Sequence, residues 1–135
     1  MSISFTTMNK NIITSESAEV ELKEDYLHIR FRDMSVIDAE EAKIVADNIV
    51  ELCDGTPYPF LTNGLGITIR LNNEARNLFA AYPPLIKVRK AQALVVSNTP
   101  SKLLANFFIK YHEPINPTKI FTNFDDALEW LRSLN

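Results

Sequence analysis

The 135-residue chain has few of the residues that build metal sites and disulfide frameworks. It contains one cysteine, Cys53, so no internal disulfide can form, which fits a reducing compartment. The two histidines, His28 and His112, are far apart, and no His-x3-His or Cys-x2-Cys spacing occurs. We therefore predict no metal site, and we expect Cys53 to be packed rather than reactive, because an acid follows it at the end of a helix.

Glycine is equally scarce, and this excludes the common nucleotide-binding loops. Gly55, Gly64 and Gly66 are the full set. The segment "NGLG" lacks the lysine and hydroxyl of a P-loop and the third glycine of a dinucleotide fingerprint, so it is predicted to be a turn. No "G-x-S-x-G" nucleophile motif occurs. We expect no cofactor and no enzymatic activity.

The chain also lacks an excess of positive charge and any long apolar run. Its formal net charge of −3 argues against a general nucleic-acid binder. No apolar run approaches the roughly 20 residues that a membrane helix needs, and the N-terminus has no basic start followed by an apolar block. We expect a cytoplasmic protein without membrane insertion.

Apolar and polar residues alternate in "AEVELKEDYLHIRFRD", on both sides of a polar break at Glu24-Asp25. This pattern predicts a β-hairpin with one face in solvent. The Ser-, Thr- and Asn-rich residues 1–16 are predicted to be a flexible arm, and residues 17–135 a single domain.

The next segment, "SVIDAEEAKIVADNIVELCDG", predicts a helix with signals at both ends. Asp38 and Glu41 fit a capping box, and Gly55 suits the residue after a helix. The apolar residues at helical spacing are Ile44, Val45, Ile49 and Leu52.

Strand and helix patterns then alternate to the end of the chain. "YPFLTNGLGITIR" predicts a strand followed by a turn, which Asn63-Gly64 signals. "AQALVVS" predicts a strand covered on both faces, and "TKIFTN" predicts a last strand. "LNNEARNLFAAY" predicts a helix capped by Asn72 or Asn73, and "NTPSKLLANFFIKYHEP" predicts a helix capped by Thr99. A last helix begins after Asn123. Its apolar residues are Phe124, Leu128, Leu131 and Leu134. The predicted fold is α/β: a β-hairpin followed by alternating helices and strands, with a mixed, mostly parallel sheet covered by helices.

The pattern "ALVVSNTPSKLLANFFIKYHEPINPTKIFTNFDDALEWL", preceded by "EARNLFAAY", resembles the SpoIIAA-like branch of the STAS superfamily. The likeness covers residues 18–134 and is strongest from Glu74 onward. It implies a module that acts by binding. The structural similarity of such domains to Sec14-type domains implies a lipid or other small ligand as the alternative.

The resemblance also implies a position for a regulatory phosphate. In anti-sigma-factor antagonists of this type, a kinase phosphorylates a serine at the start of the helix after the third strand. The matching segment "GITIRLNNEAR" has Asn72 and Asn73 there, and Thr68 is the nearby hydroxyl. We therefore expect no such switch. The predicted interaction surface is Thr68, Asn72, Asn73, Phe107, Phe108 and Tyr111.

The junction between the predicted central strand and the next helix is a candidate ligand site. Open α/β sheets place ligands at the carboxyl ends of parallel strands, and free amides at a helix start can hold an anion. The candidate residues are Ser97, Asn98, Thr99, Ser101 and Lys102. Simple helix capping by Thr99 is the alternative.

A basic patch of Lys87, Arg89 and Lys90 precedes the same strand. We expect it to be solvated surface, with docking of an anionic head group or an acidic partner as the alternative. The sequence thus favours a non-catalytic STAS-like module that binds a protein partner or a second copy of itself. Binding of a lipid or a small apolar or anionic ligand is the alternative.

Overall fold

The computed structural model describes residues 11–97 and 115–134, which form a sheet of six strands with helices on both faces. The strands are β1 (Ile12–Thr14), β2 (Ala18–Leu22), β3 (Leu27–Phe31), β4 (Val36–Ile37), β5 (Tyr58–Gly64), β6 (Arg70–Leu71), β7 (Arg89–Val96) and β8 (Thr118–Phe121). The helices are α1 (Ala39–Cys53), α2 (Asn73–Ala81), α3 (Pro83–Val88) and α4 (Phe124–Ser133). None of these helices has the length and apolarity needed to span a bilayer.

The strand order in the main sheet is β1-β2-β3-β5-β7-β8. The first three strands pair antiparallel, and β3, β5, β7 and β8 pair parallel. Strands β4 and β6 form a separate two-stranded parallel ribbon. The predicted hairpin and the mostly parallel sheet are therefore confirmed. The ribbon, with two residues in each strand, was not predicted.

The two faces of β7 explain why its sequence does not alternate between apolar and polar residues. Ala93 and Val95 pack on one face with Ala127 and Leu131 of α4. Gln92 and Leu94, which alternate with them, face the other side of the sheet, which α1, α2 and α3 cover. A strand buried on both faces has no solvent side on which to place polar residues. The predicted central strand is confirmed.

Helix α1 begins as predicted, but its apolar stripe is rotated. Asp38 is the N-cap, and its carboxylate accepts a hydrogen bond from the Glu41 amide. At the other end, Asp54 and Gly55 both adopt positive φ angles, 46° and 81°. The buried residues of α1 are Ala42, Val45, Ala46, Ile49 and Cys53. Ile44 is 44% exposed, so its predicted place in the stripe is wrong: the buried face is centred on small residues that allow close packing against the sheet.

The side chain of Glu41 does not complete the predicted capping box. Its carboxylate instead accepts hydrogen bonds from Ser15 Oγ at 3.1 Å and from both the amide and the hydroxyl of Ser17. These bonds tie the start of α1 to the connection between β1 and β2, and Ser17 is buried. Strand β1 lies within the segment predicted to be a flexible arm, so that part of the arm is ordered in the sheet. Residues 1–10 lie outside the described residues, and the domain boundary stays a prediction.

The last two elements are placed as predicted. Asn123 caps α4 by accepting from the Asp126 amide at 3.0 Å. Leu131 is buried, and Phe124 and Leu128 pack partly buried against the same cluster. Leu134 is 51% exposed because α4 has already ended at Ser133, so its predicted core position is wrong.

The contacts of Glu41 generate the first prediction. Glu41→Ala leaves the buried amide and hydroxyl of Ser17 without this acceptor, so we expect a loss of about 1–3 kcal/mol in the free energy of unfolding. Glu40→Ala is the matched control, because Glu40 is exposed and lies in the same helix turn, where its interaction with the helix dipole contributes about 0.3–1 kcal/mol. Urea unfolding measures both. Equal losses of unfolding free energy in the two variants would show that the hydrogen bonds to Ser17 do not stabilise the connection between β1 and β2.

Candidate functional site

A cavity of about 310 Å³ lies between the sheet and helices α1, α2 and α3. Its volume is at the lower end of the range of about 300–1,000 Å³ that small-molecule sites occupy. Among the described residues, the apolar side chains that line it from the strands include Ile29, Phe31, Phe60 and Leu94. Those from the helices include Val45, Ile49, Phe79 and Leu85. The cavity is therefore mainly apolar.

The segment after β5 forms the rim of the cavity at the carboxyl ends of the parallel strands. Ile67, Thr68 and Ile69 line the cavity from this segment. The Thr68 amide donates to Asp33 Oδ1 at 2.8 Å, and its carbonyl accepts from the Met34 amide at 2.6 Å. Gly64 is the last residue of β5, and a Cβ there would lie 2.7 Å from the Val95 carbonyl oxygen. A glycine is therefore required for β5 and β7 to approach so closely at the rim.

Two arginines, Arg76 and Arg89, line the cavity, and none of its described lining residues is acidic. Both differ from the apolar walls in carrying a full positive charge. The other polar side chains on the walls, Thr62, Thr68 and Gln92, are neutral. The cavity therefore combines an apolar surface with a local excess of positive charge.

Arg89 is buried, with 3% of its surface exposed. Its guanidinium donates to the Phe79 carbonyl at 2.9 Å, to the Ala80 carbonyl at 3.4 Å and to Asn116 Oδ1 at 2.8 Å. The two carbonyls lie in the last turn of α2, where the helix dipole favours a cation. The expectation that Arg89 belongs to a solvated basic patch with Lys87 and Lys90 is wrong for Arg89, although both lysines are exposed.

Burial lowers the pKa of Arg89 to about 10. The cause is desolvation, which disfavours the charged form. The group is still a cation at neutral pH. Among the described residues, no carboxylate forms an ion pair with it.

The hydrogen bonds of Arg89 generate the second prediction. Arg89→Ala removes a buried cation from three acceptors, and we expect it to lower the free energy of unfolding by about 2–3 kcal/mol. Lys90→Ala changes an exposed charge in the next residue, and we expect an effect within about 0.5 kcal/mol. Chemical denaturation followed by circular dichroism measures both. An Arg89→Ala variant with the same free energy of unfolding as the wild type would contradict the structural role of the guanidinium.

Of the predicted ligand residues, the described part of the chain contains Ser97. Its hydroxyl accepts from the Gly66 amide at 2.5 Å and donates to the Gly64 carbonyl at 3.4 Å. Ser97 thus fastens the rim segment to the end of β7. Asn98, Thr99, Ser101 and Lys102 lie outside the described residues, so the predicted ligand site stays a prediction.

The predicted interaction surface is also only partly described. Asn72 is the N-cap of α2 and accepts from the Ala75 amide at 2.8 Å, as one of the two predicted capping alternatives requires. Asn73 Oδ1 accepts from Arg76 Nη1 at 3.4 Å. Thr68 lies on the cavity rim. Phe107, Phe108 and Tyr111 are outside the described residues, and the surface stays a prediction.

His28 is half-buried on the sheet face that α4 covers. Its described neighbours are the rings of Tyr26 and Phe124, with centroids at 6.5 and 6.1 Å, and Asn63 Nδ2 at 3.3 Å from Nε2. Burial is the largest cause that lowers the pKa of His28. Within residues 11–97 and 115–134, no group of His, Cys, Asp or Glu could hold a metal ion. His112 lies outside the described residues.

Cys53 is buried at the end of α1, and desolvation raises its pKa to about 11. The thiolate is the reactive form of cysteine. We therefore expect negligible labelling of the native protein by iodoacetamide at pH 8 and full labelling in urea, measured by mass spectrometry. Rapid labelling of the folded protein would contradict the predicted packed cysteine.

The comparisons with known proteins bear on the whole fold. A family model described as "Domain of unknown function (DUF7793)" matches residues 20–135. The chain belongs to this family. No curated protein matches the chain.

A solved structure with the same fold comes from Shewanella loihica PV-4. It is described as an uncharacterized protein from the DUF3478 family with a SpoIIAA-like fold. The match has a TM-score of 0.60 and 18% sequence identity, and it covers 88% of this chain and 98% of the other. The DUF7793 chain therefore has a SpoIIAA-like fold, as its sequence pattern predicted.

Proposed function

We propose that this DUF7793 protein is a non-catalytic binding module that holds a small, mainly apolar molecule in the cavity between the sheet and α1, α2 and α3. The single observation that carries this proposal is the cavity itself, which occupies the position of a hydrophobic core. Protein interiors are normally packed as closely as organic crystals. An apolar molecule bound there would gain about 25 cal/mol for each Å² of apolar surface that it removes from water.

The distribution of polar groups supports binding rather than catalysis. Polar atoms are few on the cavity walls and are separated by apolar side chains, as in sites that hold a ligand mainly through buried surface. Bond-making chemistry needs a nucleophile or a base within hydrogen-bond reach of the reacting atom. His28 packs with Tyr26 and Phe124, on the α4 side of the sheet, and Cys53 is a neutral thiol.

Binding of a protein partner, which the sequence favoured, has less support from the described side chains. Asn72 uses its side-chain oxygen to cap α2, and that of Asn73 is engaged by Arg76. These contacts leave fewer free polar groups on the predicted interaction surface. Ligand binding in the cavity therefore ranks first.

Two neighbouring alanines of α2 allow a matched test. Ala80 lines the cavity and is buried, whereas Ala81 is exposed. Ala80→Leu fills part of the cavity, so we expect at least about tenfold weaker binding of the neutral apolar dye N-phenylnaphthylamine. Ala81→Leu adds the same atoms on the solvent side and is expected to bind within about twofold of wild type. Fluorescence titration measures binding.

Native mass spectrometry of the freshly purified protein complements the titration, and we expect it to show adducts that decrease in Ala80→Leu. Cooperative thermal unfolding of both variants is the control for folding. The proposal fails if the wild-type protein shows no saturable dye binding, or if the two variants bind the dye equally well.

A further inference from the structure

We propose that the molecule held in the cavity carries an anionic group, a carboxylate or a phosphate, and that Arg76 binds this group at the edge of the cavity. This inference rests on the proposed function and adds the chemical class of the ligand. It predicts an amphiphile with an apolar body and a single negatively charged head rather than a neutral apolar molecule.

The two arginines of the cavity differ in how many of their donors are engaged. Arg89 uses three of its hydrogen-bond donors on carbonyl and amide oxygens, so its charge already serves to hold the end of α2. The guanidinium of Arg76 makes a single hydrogen bond within the described part of the chain, a long one of 3.4 Å to Asn73 Oδ1. A guanidinium has five N–H donors in a planar fork that matches an oxyanion. Arg76 therefore has donors available for a ligand.

No acidic side chain neutralises Arg76 from its own helix. The residues three and four positions away, which lie on the same helix face, are Asn72, Asn73, Phe79 and Ala80. Among the described residues, the ion pairs are formed by other side chains: Lys23 with Glu21, Lys43 with Asp47, and Arg132 with Asp25. Within residues 11–97 and 115–134, no ion pair compensates the charge of Arg76 beside the apolar cavity, and a ligand anion would complement it.

Arg76 is the first of the residues of α2 that line the cavity. Arg76 lies near the N-terminus of α2, where the helix dipole adds positive potential. Phe79 and Ala80, one turn further along the same face, line the cavity wall. Arg76 is half-buried, and partial exclusion of water strengthens an ionic contact. An anionic head at Arg76 would therefore place its apolar chain along Phe79 and Ala80.

The test compares three amphiphiles with the same chain: decanoate, decyl phosphate and decanol. Isothermal titration calorimetry at pH 7.5 and fixed salt, below the concentrations at which the amphiphiles aggregate, gives the affinity of wild-type protein for each. We expect at least one of the two anions to bind about tenfold or more tightly than decanol, because charge-assisted hydrogen bonds are the strong ones. The difference between decanoate and decyl phosphate identifies the preferred head group.

The matched variants are Arg76→Gln and Arg70→Gln. Arg70 is exposed, lies in β6 and does not line the cavity, so its substitution removes the same charge away from the site. We expect Arg76→Gln to reduce the preference for the anion over decanol to within about twofold, with decanol affinity unchanged. In Arg70→Gln the preference is expected to persist.

The outcomes separate the two proposals. If decanol and the anions bind wild-type protein equally well, the anionic ligand is excluded while the apolar cavity stands as a binding site. If the preference persists in Arg76→Gln, Arg76 is not the residue that binds the head group. If none of the three amphiphiles binds, both the inference and the proposed function fail.

Discussion

The guanidinium of Arg89 joins three parts of the chain at the amino end of strand β7. It donates to the last turn of α2 and to Asn116, and Asn116 in turn donates to the Arg89 carbonyl at 2.6 Å. Helix α2, the start of β7 and the chain leading to β8 are thereby held together around one buried cation. Because α2 forms a wall of the cavity, the hydrogen bonds of Arg89 help to hold that wall in place.

The two faces of the sheet are filled differently, and this difference creates the candidate site. On the side of α4, Ala93 and Val95 of β7 form one buried cluster with Leu131 of the helix. On the other side, three helices meet over β3, β5 and β7 and leave a volume of about 310 Å³. Gly64 lies at the rim of this cavity, where β5 and β7 are too close for a residue with a Cβ. Among the described residues, the walls of this pocket are mainly apolar and carry two arginines.

Local patterns predicted most of the described elements but not the site. The hairpin, the capped helices α1, α2 and α4 and the doubly covered β7 followed from alternation, helical spacing and capping residues. The burial of Arg89 did not follow from these patterns, because the alternation of faces along β7 is interrupted. Tyr58 and Phe60 of β5, two positions apart, pair with Arg89 and Gln92, three positions apart. The extra residue of this bulge places Arg89 on the same side as Gln92.

The sequence by itself determined which segments are strands and helices and where most of the helices begin, because these features depend on neighbours a few residues apart. The alternation of strands and helices along the chain then indicated a mostly parallel sheet. Only the tertiary structure decided that Ile44 and Leu134 face solvent, that Glu41 accepts hydrogen bonds from Ser17, and that Arg76 and Arg89 line the same apolar cavity. The hydrogen bonds of Glu41 join residues that are distant in the chain. The volume of the cavity depends on how several elements pack together.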